Sequence, residues 1–194
     1  DLLQAAGYYT LGMRRDGVLW SGPWRRLANA EPAATYRAPD PSARVKILAE
    51  PIVTTAKVDE IANRIVVRRE SGQTAIVAVV TNEDPRSPVS TLRLGMVLTR
   101  EVSGSDADAI VDEASAYALA YRLLEEAAAR YTTLELVTSP DLRDTREVYA
   151  LDIRTTAGEI VAEGRWWCVG WQLGFTAKDG TMKHTLHRIE EFGG

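Results

Sequence analysis

The residues of this chain best suited to catalysis or metal binding are two histidines and one cysteine near its C-terminal end. His184 and His187 are three positions apart in a segment whose alternation predicts a β-strand. Successive side chains of a strand point to opposite faces, so the two imidazoles cannot bind one metal ion as they could on a helix. Cys168 lies on the neighbouring predicted strand, several residues along the ladder from His184. We therefore expect no Cys–His nucleophile pair.

Carboxylates are abundant, but none has the sequence context of a general acid or base. Glu125 and Glu126, like Asp106 and Asp108, lie on or near a predicted helix, where solvation and the helix dipole explain them. The sequence contains no Gly-x-Ser-x-Gly, no His-Glu-x-x-His and no phosphate-binding loop. We predict that the chain is not an enzyme and needs no cofactor or metal. A hydrolase would require a concave site with a perturbed acid pair.

Five tryptophans suggest binding rather than catalysis. Aromatic rings can form a platform for sugars, or they can supply a core and a subunit interface at small entropic cost. We favour core or interface, and keep a carbohydrate-binding module for host cell-wall polymers as the alternative function. Trp166 and Trp167 are adjacent on a predicted strand and must face opposite sides, which makes Trp166 a candidate for a subunit contact. The five are Trp20, Trp24, Trp166, Trp167 and Trp171.

Length and composition describe a globular chain with its own core. It has 194 residues, of which 45% are hydrophobic, enough for one large domain or two small ones. The formal charge is -4, from 27 acidic and 23 basic residues, which argues against nucleic acid as the main partner. A single cysteine excludes an internal disulfide and a multi-thiolate zinc site. No apolar stretch approaches the roughly 20 residues of a membrane-spanning helix, so no membrane partner is expected.

The C-terminal part predicts successive antiparallel strands over residues 147–153, 165–175 and 180–189. The tight link between the last two contains Lys178, Asp179 and Gly180, since glycine accepts the positive φ that such turns need. Strict alternation places Trp167 and Trp171 on one face of the middle strand and Trp166 and Cys168 on the other.

The N-terminal part predicts one connector and several hairpins. Residues 1–6 resemble the last turn of a helix, and the chain begins with Asp, so we expect it to be an internal piece of a longer polypeptide. Prolines in residues 22–43 predict an extended connector and a subdomain boundary. The remaining pattern predicts strands at 8–13, 18–21, 45–48, 52–55, 63–69, 74–81 and 96–102.

Two of these strands carry a specific expectation. Pro51 cannot donate to a ladder, so residues 52–55 are predicted to form an edge strand or a bulge. The run at 75–80 is continuously apolar rather than alternating, which predicts a strand covered on both faces.

One long helix is predicted over residues 106–130, with Ser105 or Asp106 as its cap. The core stripe is expected to contain Ile110, Val111, Ala114, Tyr117, Ala118, Tyr121, Leu124 and Ala128. A second stripe nearly opposite is predicted to contact another domain or subunit, unless a local loop covers it. That predicted interface consists of Ala116, Leu119, Leu123 and Ala127, together with Trp166.

Several segments, taken in order, resemble the tail hub proteins of long-tailed phages that infect actinobacteria. The C-terminal block carries the likeness most clearly, with an L-D strand, then G-R-W-x-C-V-G-W, then D-G-T-M-x-H-x-L-x-R-I. The other segments are residues 7–11, 16–22, 58–67, 82–90 and 123–131. These proteins are minor tail proteins that form the baseplate hub, similar in fold to the hub of contractile tails and to late control D proteins.

The resemblance implies a fold and a set of partners. The fold class is mainly β (α+β), with antiparallel β-barrel subdomains of tail-tube or hub type and one long helix. The implied divisions are residues 1–44, 45–104, 105–131 and 132–194. Hub proteins form a homotrimeric ring with pseudo-sixfold symmetry that joins the tail tube to threefold tip structures. A distal tail or tube protein and the tape measure protein are the implied partners.

The same resemblance implies a place in the particle, the tail tip of a virion assembled in the bacterial host cytoplasm. Hub proteins commonly continue into host-recognition or wall-degrading parts, and neither is present in this chain. The family has no catalytic residues to assign to positions of this sequence. A prophage or a gene-transfer particle would encode a similar sequence.

Overall fold

The computed structural model describes residues 8, 11–14, 16–71, 74–141, 146–175 and 179–190. The predicted helix end at residues 1–6, and Lys178 of the predicted C-terminal turn, lie outside the described residues. Strands account for 43% of the chain, which confirms a mainly β fold. The two α-helices among the described residues are α1 (Thr91–Leu94) and α2 (Glu113–Ala129). The strands are β1 (Gly12–Met13), β2 (Leu19–Trp20), β3 (Ala34–Ala38), β4 (Ile52–Thr55), β5 (Arg64–Ser71), β6 (Thr74–Thr81), β7 (Thr99–Val102), β8 (Thr132–Thr138), β9 (Val148–Arg154), β10 (Ile160–Phe175) and β11 (Gly180–Arg188).

Most of the predicted hairpins are present. β1 and β2 pair antiparallel, and Gly17 takes a φ of 80° in the turn between them, which is the reason for a glycine there. β5 and β6 form the second hairpin, and β9, β10 and β11 are the three predicted antiparallel strands. β10 is longer than predicted, because it begins at Ile160.

The six-stranded sheet takes strands from both ends of the chain, in the order β3-β9-β10-β11-β8-β4. β4 is an edge strand, as Pro51 predicted. β3 pairs parallel with β9, with Tyr36 opposite Leu151, and the other neighbours are antiparallel. The predicted connector at 22–43 is therefore partly a strand of this sheet. The sheet crosses the division predicted near residue 44.

The six-stranded sheet is strongly rolled. β3 and β11 are separated by β9 and β10, so a flat sheet with about 4.8 Å between strands would place them roughly 14 Å apart. The ring centroids of Tyr36 on β3 and His184 on β11 are 5.9 Å apart. The Tyr36 hydroxyl also donates to Asp141, which follows β8, at 3.0 Å. The sheet curls around its buried face without closing, and no sheet of the described residues is a closed barrel.

The three-stranded sheet has the order β6-β5-β7, and α2 packs against β5 and β6. β5 and β7 are parallel, so both sheets are mixed rather than purely antiparallel. Ile65, Val67 and Ala78 line the face that meets the helix, and Ile110 joins this core from the loop before it.

The run at residues 75–80 is covered on one face only, contrary to prediction. Ala78 and Val80 are buried under α2, whereas Val77 and Val79 point away from it and are 41% and 37% exposed. A continuously apolar strand therefore faces open space on one side. The residue types do not distinguish the covered face from the open one, because valines lie on both.

The helix begins later than predicted, at Glu113. A 3-10 turn, Gly104–Ala107, precedes it, and residues 108–112 separate the two. Asp112 is the cap: its carboxylate accepts from the Ser115 backbone amide at 2.8 Å, and the Ser115 hydroxyl accepts from the Asp112 amide at 3.1 Å. This capping box satisfies two amides that the helix leaves unpaired. The spacing Asp112-x-x-Ser115 is visible in the sequence and is typical of a helix start.

Replacing Asp112 with alanine is expected to lower the melting temperature by about 2–4 °C, the shift that the loss of one helix cap gives in a chain of this size. Asp112→Asn is the matched control, because its side-chain oxygen still accepts from Ser115. The measurement is thermal unfolding by circular dichroism. Equal melting temperatures for the alanine and asparagine variants would contradict the cap.

The N-terminal connector lies on the core. Leu27 is buried against Val148 and Ile189, and Arg165 donates to the carbonyls of Leu27 and Ala30. The amide of Ala33 donates to the Val148 carbonyl at 2.8 Å. These contacts order a segment that has no hydrophobic periodicity of its own.

Candidate interaction surfaces

The faces of α2 differ from the prediction, because the second stripe is buried and only Ile110, Leu124 and Ala128 of the predicted core stripe are buried with it. Leu119 and Leu123 are buried against the β5–β6 sheet, while Tyr117 and Tyr121 are 38% and 55% exposed. The predicted interface stripe is thus part of this chain's own core and offers no surface to a partner. Its four members are Ala116, Leu119, Leu123 and Ala127.

The cause of this difference is the position of the helix start. Ile110 and Val111 are two of the three large aliphatic residues of the stripe expected to face the core, the third being Leu124, and both precede the helix. Without them that stripe holds mainly tyrosines and alanines, and a tyrosine can stay at the surface because its hydroxyl is hydrated. The leucine stripe has the larger aliphatic area, and its burial is the more favourable.

Trp166 is also buried in this chain rather than at an exposed surface. It belongs to the core cluster of the six-stranded sheet together with Leu134, Tyr149 and Leu186, and its indole N–H donates to the Glu163 carbonyl at 3.1 Å. Trp167 points to the opposite face, as predicted, and packs with Leu27.

A β-bulge near Val169 changes the predicted face assignment of β10. Cys168 pairs with Leu186 and Trp171 pairs with His184, so one extra residue lies on β10 between these two pairs. Trp171 consequently packs against the same core as Trp166 and Cys168, instead of sharing a face with Trp167.

The tryptophans do not form the exposed platform that the carbohydrate-binding alternative requires. All five are described; Trp166 is buried and the other four are half-buried. A sugar ring stacks on an open aromatic face, so this arrangement does not support the alternative.

Cys168 and His184 belong to a buried aromatic cluster. The rings of Tyr36 and Tyr149 meet edge to face at 5.2 Å, and the ring of His184 meets that of Tyr149 at 5.6 Å. His184 Nε2 lies 3.1 Å from the Thr138 hydroxyl. Burial raises the pKa of the Cys168 thiol to about 11, which keeps it protonated and unreactive near neutral pH. The cluster therefore serves packing.

His184 and His187 face opposite sides of β11, as predicted: His184 is in the sheet core and His187 stacks edge to face on Trp167 at 6.1 Å. Burial, with a contribution from the positive charge of Arg130, lowers the pKa of His187 to about 4. Below an unfolded pKa of about 6.5, the unfolded chain binds a proton that the folded chain does not. His187 therefore destabilises the fold as the pH falls from about 6.5 towards 4.

His187→Gln is expected to reduce the loss of stability on acidification. The urea midpoint should fall less for the variant than for the natural sequence between about pH 7 and pH 4.5, because glutamine takes up no proton. Groups such as Glu126, whose pKa is raised by burial, act in both proteins and cancel in the difference. Equal falls of the midpoint in the two proteins would contradict this role of His187.

The exposed apolar residues identify surfaces that a partner could cover. Val77 and Val79 lie on the open face of β6, which is also an edge strand of its sheet. Leu11, Val18 and Leu19 are exposed on the N-terminal hairpin. An edge strand with an apolar open face is a hazard for a monomer unless something covers it. Among the described residues, no helix has the length and apolar character needed to cross a membrane.

Solved structures share this fold. No protein-family model and no curated protein sequence matches the chain. A tail protein from Neisseria meningitidis MC58 superposes with a TM-score of 0.63 at 14% identity, covering 96% of this chain and 52% of the other. The 43 kDa tail protein of prophage MuSo2 from Shewanella oneidensis gives 0.59 at 9% identity, covering 94% and 51%. A chain of the virion of a native gene transfer agent particle gives 0.58 at 22% identity, covering 97% and 37%.

These likenesses establish that the chain shares, along nearly its whole length, the fold of a part of these tail and virion proteins. The chain spans about half the length of the two tail proteins and a smaller share of the gene transfer agent chain.

Proposed function

We propose that this chain is a structural component of a phage tail or of a related particle, and that it acts through assembly rather than turnover. The observation that carries the proposal is the shared fold with two tail proteins and with a virion chain over at least 94% of its length. The buried, protonated thiol of Cys168 and the packing role of His184 agree with a chain that has no catalytic duty.

More specifically, we infer that it is part of the baseplate hub, a minor tail protein at the tip. Three copies would form a ring that joins the tail tube to threefold tip structures, in contact with a distal tail or tube protein and the tape measure protein. The resemblance of residues 82–90 and of the C-terminal block to hub proteins supports this assignment. The particle would assemble in the cytoplasm of the bacterial host.

The open face and free edge of β6 are the surface that best suits contact with a second copy. A neighbouring subunit that packs on Val77 and Val79 would remove apolar area from water and protect the unpaired backbone groups of the edge. Such burial favours closed symmetric oligomers.

The experiment is a reconstruction of the assembled particle, supported by one variant. The chain should lie in a threefold ring at the tail tip; a position outside the tail would overturn the proposal. Val77→Glu with Val79→Glu should leave the isolated chain folded but prevent ring formation, because two charges would enter an apolar contact. Val111→Glu, at another exposed position, is the control. Normal rings from the double variant would exclude β6 from the contact.

A further inference from the structure

We propose that the N-terminal hairpin of one copy of this chain docks in a groove beside α2 of a second copy. The hairpin consists of β1 and β2. The groove lies between α2, the loop at residues 81–86 and the N-terminal connector, and its volume of about 830 Å³ is within the range of binding pockets. That docked copies continue around a ring in a tail rests on the proposed function, whereas the contact itself does not.

The hairpin carries an apolar face that the described residues leave open to solvent. Leu11 and Leu19 are 61% and 62% exposed. Met13 pairs with Leu19, and Leu11 lies two positions before Met13, so alternation places the two leucines on one face. Each strand of the hairpin has only two residues. A hairpin of this size has little stability of its own in water, so a surface that covers its leucines stabilises it.

The other face of the hairpin ties it to its own connector. Trp20 faces away from Leu19 and packs against Gly22, where an added Cβ would lie 2.6 Å from the ring. Tyr8 forms a β-bridge with Pro23, at the point where the connector enters the groove. None of the described hairpin residues lines the groove of the same chain. A second copy is therefore needed to bring a leucine face into it.

The groove presents apolar and aromatic surface to such a face. Trp24, Tyr121 and Leu124 line it together with Ala118, and Tyr121 is 55% exposed. Aromatic side chains bury a large area in a contact at small entropic cost, which is why they are enriched in protein interfaces. Docking of two leucines removes apolar surface from water on both sides of the contact.

The charged residues of the groove do not call for a charged ligand. Two ion pairs lie within the lining, with shortest N–O distances of 2.9 and 2.7 Å: Arg26–Glu125 and Arg86–Asp84. Glu83 on the exposed rim is the remaining charge of the lining. Residues 14–16 of the hairpin, two arginines and one aspartate, have a net charge of +1. Docking therefore brings no excess of like charges together.

The position of the groove agrees with the contact proposed for β6. The loop at residues 81–86 follows β6, and Thr81 at the end of that strand lines the groove. A neighbour that packs on Val77 and Val79 therefore lies next to the groove. A hairpin of one copy in the groove of the next is a heterologous contact, and such contacts form a closed ring when the rotation between copies allows it.

The first test joins the two surfaces by a disulfide. One batch of the chain carries Leu19→Cys, and a second, labelled with nitrogen-15, carries Ala118→Cys at an exposed position of the groove. Mild oxidation of the mixture should give a mixed dimer, which mass spectrometry identifies. Ile160→Cys, at a position of β10 that is 54% exposed, is the matched partner control. It should give about tenfold less, because only a contact raises the effective concentration of one thiol at the other.

The double variant distinguishes a second copy from the same copy. Leu19→Cys with Ala118→Cys in one chain should give a ladder of covalent oligomers. A disulfide within single chains and no mixed dimer would mean that the hairpin folds back into its own groove, which overturns the proposal. Equal yields from Ala118→Cys and Ile160→Cys overturn it as well. The natural Cys168 does not compete, since burial raises its pKa to about 11.

A second measurement needs no cross-link. Leu11→Ser with Leu19→Ser should weaken self-association in analytical sedimentation by roughly tenfold or more, because two leucines leave an apolar contact. Leu48→Ser with Leu92→Ser makes the same change at positions that are 49% and 65% exposed and lie outside both surfaces, so it should change self-association little. Equal weakening by the two double variants, or no self-association of the natural chain, contradicts the docking.

The assembled particle distinguishes this proposal from the proposed function. A tail tip in which the hairpin of each copy occupies the groove of the next supports both. A tail tip that contains the chain with its hairpins outside the grooves overturns the docking and leaves the tail role intact. If the chain is absent from the tail but the mixed dimer forms, the docking stands and the tail role fails.

Discussion

Replacing Leu119 and Leu123 together with glutamate is expected to unfold the chain. Both side chains are buried in the core between α2 and the β5–β6 sheet. An unpaired charge in such a place costs several kcal/mol, and two of them rival the roughly 5–15 kcal/mol that stabilises a whole domain. Circular dichroism should show no cooperative thermal transition, and the expressed chain should be aggregated or degraded.

The matched control uses the opposite side of the same helix. Tyr117→Glu with Tyr121→Glu places the same two charges at the same spacing on exposed positions, so the melting temperature should change by no more than a few degrees. If the double leucine variant is stable and the double tyrosine variant is unfolded, the tyrosines rather than the leucines face the core. Leu119→Met with Leu123→Met should keep the fold, because the volume is conserved.

The second large effect is expected from Trp166→Ala. The indole is buried in the same core cluster as Tyr149 and Leu186, and truncation of a buried tryptophan costs about 3–5 kcal/mol. The urea midpoint should fall sharply, with a slope close to that of the natural sequence.

Phe175→Ala is the control for that substitution, because it also removes an aromatic ring from β10 but at a position that is 76% exposed. Its urea midpoint should barely move. Similar falls of the urea midpoint in the two variants would show that Trp166 contributes no special stability to the sheet core.

The sequence predicts which segments form strands far better than it predicts which strands pair with each other. β5, β9, β10 and β11 follow from alternation, β6 follows from its apolar run, and the turn residues between them lie close by in the chain. The pairing of β3 with β9 joins residues more than a hundred positions apart, and no local pattern encodes it. The same is true of the rolling of the sheet, which depends on contacts among side chains from several strands.

The errors at the predicted interface have local causes. A helix start misplaced from Glu113 to Asp106 assigned the wrong stripe to the core, and a bulge after Cys168 exchanged the faces of β10. The groove beside α2, lined also by the loop at residues 81–86, was not predicted, because it combines the connector, that loop and the helix. Trp24 and Glu125 are 101 positions apart, and only the folded chain places both in one groove.

The two outer strands of the six-stranded sheet have a consequence for biosynthesis. β3 and β4 leave the ribosome early, but their pairing partners β9 and β8 are synthesised much later. Until then the backbone groups of both strands are hydrogen-bonded to water instead of to a neighbouring strand, and contacts of such long range form slowly. A chain truncated before β8 therefore lacks the pairing partners of both strands and cannot assemble this sheet.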